Sequence, residues 1–149
     1  MDQNTNPEPQ RGAPIPGANN IKILLVEDDP VLRKMYSDKL DSYGYNLVTA
    51  SDGQEAYEKY QNEKPNIVIT DIMLPRMSGE ELLEKIKSTP DGANIPVIVC
   101  TNLTLDEEKT KVMELGASEY LSKESITLTQ FVEAVKKYTS PQASNAPTT

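Results

Sequence analysis

Most of the side chains that could do chemistry stand directly after short apolar runs. Glu27, Asp28 and Asp29 follow residues 21–26, Asp71 follows 67–70, Thr101 follows 96–100, and Lys123 comes two residues after 119–121. If those runs end on one edge of a sheet, at least two carboxylates, Asp28 and Asp71, come close together. Like charges about 4 Å apart at an effective dielectric near 20 repel by about 4 kcal/mol, and a hard divalent cation offsets that. An octahedral Mg²⁺ site takes one or two carboxylates, a backbone carbonyl, waters and a phosphate oxygen. With a metal spreading the charge of a transferring group, a carboxylate can act as nucleophile and form an aspartyl phosphate. Lys123 could ion-pair with the phosphoryl oxygens and Thr101 could hydrogen-bond to them. Each has an ordinary reading too: Asp29 before Pro30 is a helix cap, Thr101 a turn residue and Lys123 a surface lysine. The convergence of the set gives the chemical reading its weight.

The runs that carry these residues read as strands over 21–26, 47–50, 67–70, 96–100 and 119–121. A helix follows each. Asp29-Pro30 supplies a cap and a first-turn proline, and Ser78 with Glu81, Thr104 with Glu107 and Thr127 with Gln130 have capping-box spacing. The second helix, near 53–62, has a weaker start signal. In the last helix Leu128, Phe131, Val135 and Tyr138 form one apolar stripe. Strict alternation of strand and helix predicts an α/β fold with a parallel sheet between helical layers. In such sheets ligands gather at the strand carboxyl ends.

Bulk properties narrow the function classes. A chain of 149 residues, 37% apolar, predicts one domain. Residues 1–20 and 140–149, rich in Pro, Asn, Ser and Thr, are expected to be tails around a domain at 21–139. A net charge of −8 disfavours direct binding of nucleic acid or of an anionic membrane. No window reaches the roughly 20 apolar residues of a membrane span, and no signal segment follows Met1. A cytoplasmic location is expected. Cys100, the one cysteine, lies in an apolar run and is expected to be a buried, inert thiol. The absence of histidine excludes imidazole metal sites, histidine triads and a phosphohistidine donor role.

Four ordered motifs resemble the receiver domains of bacterial two-component response regulators over about residues 21–138. They are Ile-Leu-Leu-Val-Glu-Asp-Asp ending at Asp29, Thr-Asp-Ile-Met-Leu-Pro-Arg-Met-Ser-Gly ending at Gly79, Ile-Pro-Val-Ile-Val-Cys-Thr ending at Thr101, and Gly-Ala-Ser-Glu-Tyr-Leu-Ser-Lys ending at Lys123. The resemblance implies a flavodoxin-like (βα)5 sandwich with sheet order 2-1-3-4-5. It implies Asp71 as phosphoacceptor and Mg²⁺ or Mn²⁺ held by Asp28, Asp71 and the backbone carbonyl of Met73, with Glu27 acting through water. Thr101 and Tyr120 would be the switch residues, reshaping the surface of helix four, strand five and helix five. The partners it implies are a sensor histidine kinase and a phosphotransfer protein or downstream target, the chain catalysing its own phosphorylation and dephosphorylation without being an enzyme in the ordinary sense. With about ten residues after the last helix, a stand-alone receiver with a binding output is expected.

This sequence departs from the family pattern at two places, and a pair of apolar residues bears on the lifetime of the product. Glu124 stands where a proline usually follows the lysine, so a trans Lys123-Glu124 peptide and a shifted loop are expected. Asn102 replaces the usual small residue after the threonine, partly screening donor access. Met73 and Leu103 flank the path of the hydrolytic water and cannot orient it by hydrogen bonding, which predicts a long-lived aspartyl phosphate. Two other classes of function compete: a degenerate receiver serving as a phosphorylation-independent scaffold, and a flavin carrier or phosphatase of similar topology. The first strand lacks the Asp-x-Asp of an aspartate-nucleophile phosphatase, and no loop after it offers a phosphate cradle.

Overall fold

A computed structural model describes residues 14–139. Five strands, β1 (Lys22–Val26), β2 (Asn46–Ala50), β3 (Ile67–Thr70), β4 (Val97–Thr101) and β5 (Glu119–Ser122), alternate with five helices, α1 (Pro30–Ser42), α2 (Gly53–Glu63), α3 (Gly79–Lys87), α4 (Asp106–Glu114) and α5 (Leu128–Thr139). The sheet is parallel throughout, in the order β2-β1-β3-β4-β5, as the resemblance implied. Such an order places helices on both faces, because each crossover is right-handed.

Alternation along the strands divides the core in two. Ile23, Leu25, Ile67, Ile69, Ile98 and Cys100 face α1 and α5, where Tyr36, Leu40, Phe131, Val132 and Val135 cover them. Leu24, Val26, Val68, Val97 and Val99 face the other way, against Ala56, Leu82, Leu83, Ile86 and Val112 of α2, α3 and α4. The stripe read on the last helix is present, with Phe131 and Val135 buried and Leu128 and Tyr138 partly buried at its ends.

Most helix starts follow their signals. Asp29 caps α1 by accepting from the Val31 and Leu32 N–H groups, with Pro30 in the first turn. Ser78 and Glu81 form the reciprocal capping box of α3, and Thr127 and Gln130 exchange the same pair of bonds at α5, at 2.9 and 3.0 Å. Two starts differ from expectation. α4 begins after Leu105, with no side-chain cap. Thr104 lies one residue too early, and the acidic first turn Asp106, Glu107 and Glu108 offers charge to the helix dipole in place of a cap. α2 starts more firmly than expected: Asp52 accepts the Glu55 N–H at 2.8 Å, and the Glu55 carboxylate accepts the Ser51 N–H at 2.8 Å.

The packed unit also begins before Ile21. The Ile15 N–H donates to the Tyr43 carbonyl at 2.9 Å, residues Ala18–Asn20 form a 3-10 turn, and Ala18 is buried in the core beside α1 and α5. Ile15 and Ala18 fix this segment by packing against the core cluster beneath α1 and α5. The expected tails at 1–13 and 140–149 lie outside the described residues. On the far edge of the sheet, Lys59 of α2 donates to the Thr49 carbonyl of β2 at 2.7 Å.

Phe131 is fully buried and stacks on Tyr36 with ring centroids 4.5 Å apart. Phe131→Ala is expected to cost about 3–5 kcal/mol, read as a lower urea midpoint at unchanged slope.

Candidate functional site

Strands β1, β3 and β4 are central; β1 and β3 end level, Val26 opposite Thr70, and β4 runs two residues past Val99 to Thr101, so the residues at their ends share a short edge. Gly79 closes one side of it. Its N–H donates to the Ile72 carbonyl at 2.8 Å, and a Cβ there would lie 2.0 Å from the Asp71 carbonyl oxygen. Only glycine lets α3 start this close to the end of β3.

Glu27, Asp28 and Asp71 each place a carboxylate oxygen within 4.8 Å of the others'. Glu27 and Asp71 are 3% and 5% exposed, while Asp28 is open to solvent. Lys123 lies between the two buried acids: its Nζ donates to Glu27 Oε1 at 2.5 Å and to Asp71 Oδ2 at 2.6 Å. The Lys123-Glu124 peptide is trans, as expected without the proline, and all peptide bonds of the described residues are trans. The departure at Glu124 does not cost the lysine its reach.

The remaining oxygens of the pair are also occupied. Glu27 Oε2 accepts the Asp29 N–H at 3.1 Å, and Asp71 Oδ1 accepts the Met73 N–H at 3.1 Å. Arg33 of α1 donates to the Glu27 carbonyl at 2.8 Å and so fixes the loop after β1; the sequence reading passed over it. Burial pushes the Glu27 carboxyl above its usual range, against the lowering effect of Lys123 and the Asp29 N–H. Lys123 is held well above its usual value by hydrogen bonds to Asp71 and Glu27, which outweigh burial. Cys100 is buried nearby, its thiol pushed up to about 12 by burial, so it stays a thiol as expected.

Thr101 is fully buried at the end of β4. Its Oγ1 accepts the Leu103 N–H at 3.3 Å, and the Tyr120 hydroxyl donates to the Leu103 carbonyl at 2.6 Å. The two residues thus grip adjoining peptide groups of the loop before α4. Met73 is 51% exposed at the mouth of the site, and Asn102 and Glu124 share a groove with Lys123, Leu32 and Ile126.

The three acids suit a hard divalent cation: oxygen donors only, one solvent-facing carboxylate, and a lysine already balancing part of the negative charge. Of the expected ligands, Asp28 and Asp71 are brought together, with Glu27 beside them but engaged by Lys123 and Asp29.

The raised Glu27 pKa has a definite sign. The folded chain binds that proton more tightly than the unfolded one, so this group's contribution to stability falls as pH rises from 4.5 through the folded value. Lys123 acts oppositely: its contribution is intact below 10.5 and lost as pH climbs through its raised folded value. Lys123→Met leaves two buried acids unpaired, with an expected loss of about 3–5 kcal/mol at neutral pH. Glu27 then rises further, so the variant is expected to lose more stability than the parent between about pH 4.5 and 7.5. Urea melts at the two pH values measure this, and equal losses would contradict it.

Residues 23–136 match the family model described as the response regulator receiver domain. The gliding motility regulatory protein of Myxococcus xanthus is 34% identical over 124 residues, 83% of this chain and 16% of that protein. The alkaline phosphatase synthesis transcriptional regulatory protein PhoP of Bacillus subtilis is 37% identical over 106 residues, 70% of this chain and 42% of that one. The chain therefore spans less than half the length of these two curated relatives. Among solved structures, the chemotaxis response regulator CheY4 of Vibrio cholerae superposes with a TM-score of 0.74 at 28% identity, covering 79% of this chain and 98% of that one. A chain of the CheX-CheY-BeF3-Mg+2 complex from Borrelia burgdorferi gives 0.73 at 28% identity, covering 78% of this chain and 87% of that one. Among the described residues no helix is long and apolar enough to cross a membrane. With the fold, the acidic edge and the sequence match in agreement, the chain belongs to the response regulator receiver domain family of two-component phosphorelay signalling.

Proposed function

We propose that the chain is a switch driven by phosphoryl transfer to Asp71. The observation that supports it most is the Lys123 ammonium bridging Glu27 and Asp71 beside the exposed Asp28. In this reading a divalent cation, Mg²⁺ or Mn²⁺, is held by Asp28, Asp71 and the Met73 carbonyl, with Glu27 contributing through water. Bound there, the cation would neutralise charge on the transferring group. The relative from Borrelia is described in complex with BeF3 and Mg²⁺, which accords with such a site.

The donor is a phosphohistidine of a sensor histidine kinase or of a phosphotransfer protein. An Asp71 carboxylate oxygen attacks phosphorus, the P–N bond breaks, and the imidazole departs with the bonding electrons. Lys123 then exchanges its bond to Asp71 for one to a phosphoryl oxygen. Thr101 can turn its hydroxyl from the Leu103 N–H toward the same group. Because Tyr120 grips the Leu103 carbonyl, that turn is passed to the loop before α4 and to the surface of α4, β5 and α5. A tenfold bias between two conformations needs only about 1.4 kcal/mol, within reach of two new hydrogen bonds. The groove lined by Leu32, Met35, Ile126 and Leu128 beside Lys123 gives a donor protein an apolar approach, and the output is binding to a downstream target.

Intact mass after incubation with a small phosphoryl donor and Mg²⁺ tests the proposal. One added phosphoryl group is expected, absent in Asp71→Ala and after chelation. No gain under any condition, together with no beryllofluoride binding, would favour the scaffold reading. In the same assay Met73→Asn with Leu103→Glu, which puts polar groups where the water must be oriented, is expected to speed loss of the phosphoryl group. An unchanged lifetime would contradict that role.

A further inference from the structure

The loop from Asp71 to the cap Ser78 carries the Met73 carbonyl, and its ends and its later half are fixed by different parts of the fold. The ends are drawn together by the close approach of Gly79 to Asp71, and the Met73 N–H is held by the Asp71 carboxylate. Residues 75–77 rest on the amino terminus of α2. There the Gly53 N–H donates to the Pro75 carbonyl at 3.3 Å, and a Cβ on Gly53 would lie 1.9 Å from the Met77 carbonyl oxygen and 2.7 Å from its carbon. Between these contacts Arg76 has a left-handed backbone, φ 72°, a conformation uncommon for a residue with a side chain and costing about 1 kcal/mol or more. Its Nε lies 3.7 Å from Asp52 Oδ2, and Asp52 is itself fixed because its other oxygen caps α2. A strained residue persists where its neighbours over-determine it, and here the neighbours are Asp52 and Gly53.

We infer that Asp52 and Gly53 are positioning residues for divalent-metal binding: the start of α2 sets the course of the 71–78 loop and so the place of the Met73 carbonyl. The inference rests on the reading of Asp28, Asp71 and Met73 as the metal site. Neither Asp52 nor Gly53 touches the metal in this account. A carbonyl ligand, unlike a carboxylate, cannot swing on a side chain to make up for a displaced backbone, and Mg²⁺ demands near-ideal octahedral geometry. Residues supporting a ligand in this way typically change affinity about 10–100-fold when altered. The ion pair is the weaker half of the device, since Arg76 is largely exposed and exposed pairs contribute little. The backbone contact at Gly53 is the stronger half, because a methyl group there must displace the Met77 peptide.

Mn²⁺ titration of the full chain, followed by loss of the free-ion EPR signal, tests this with no phosphoryl donor present. Gly53→Ala is expected to weaken Mn²⁺ binding by about tenfold, while Phe131→Ala, which loses stability on the opposite face of the sheet, binds as the parent does. A merely structural role for Gly53 would lower its urea midpoint and leave the affinity of the folded fraction unchanged, and that result would overturn the inference. Should Gly53→Ala not fold, Asp52→Asn with Arg76→Gln decides, since asparagine keeps the cap: a smaller loss of affinity, about two- to fivefold, supports the inference, and parental affinity overturns it. Parental affinity in Asp28→Asn and Asp71→Asn would instead overturn the metal site itself, and the inference with it.

Discussion

The placement of one ammonium group between two buried carboxylates is the constraint around which the rest is arranged. Glu27 and Asp71 come from adjacent strands and are nearly withdrawn from water, a position that two ionised acids cannot share without a cation. Lys123 satisfies both at once, and its side chain is 7% exposed. The arrangement carries a standing excess of negative charge, because Asp28 adds a third carboxylate that the lysine does not reach by a hydrogen bond. One ammonium against three carboxylates leaves the site open to a further positive charge, the electrostatic condition for an exchangeable cation.

The fold serves that condition by bringing strand ends together and closing the loops around them. β3 and β4 are fully buried and β1 is buried after Lys22, with side chains committed to both helical layers, so their ends cannot shift independently. The loops beyond them are then fixed one by one: Arg33 holds the carbonyl of Glu27, Gly79 admits α3 against Asp71, and Thr101 with Tyr120 holds both sides of Leu103. Rigid strand ends and individually tethered loops give a site whose parts can move one at a time.

Much of this was legible in the sequence because the informative residues follow their own strands at once. Asp71, Thr101 and the acids after β1 were found by position alone, and the caps at Asp29, Ser78 and Thr127 by spacing. The strand order, the separate roles of the ligands, the Met73 carbonyl and the part given to Tyr120 needed the family resemblance. What escaped depends on contacts between distant segments. Nothing near Gly53 in the sequence marks the Met77 carbonyl as its neighbour, and nothing in Pro14–Asn20 announces that Ala18 fills a space beneath the sheet. Thr104 failed as a cap because a capping pattern fixes spacing and not register, and the helix began one residue later. Lys123 reaches its partners through a trans peptide because a lysine side chain is long and flexible enough to absorb a change in the loop behind it.

α3 and α4 are the same length and pack on the same side of the sheet, yet they are held very differently. α3 buries Gly79, Leu82, Leu83 and Ile86, whereas α4 buries Val112 alone. A substitution on α3 meets the core at almost every turn. On α4 the exposed positions beyond the acidic first turn can change with little penalty to folding, since surface changes typically alter stability by no more than about 0.5 kcal/mol. The helical layer on this side of the sheet is thus graded, from α3, locked into the core beside the acidic edge, to α4, which leans on it through a single valine.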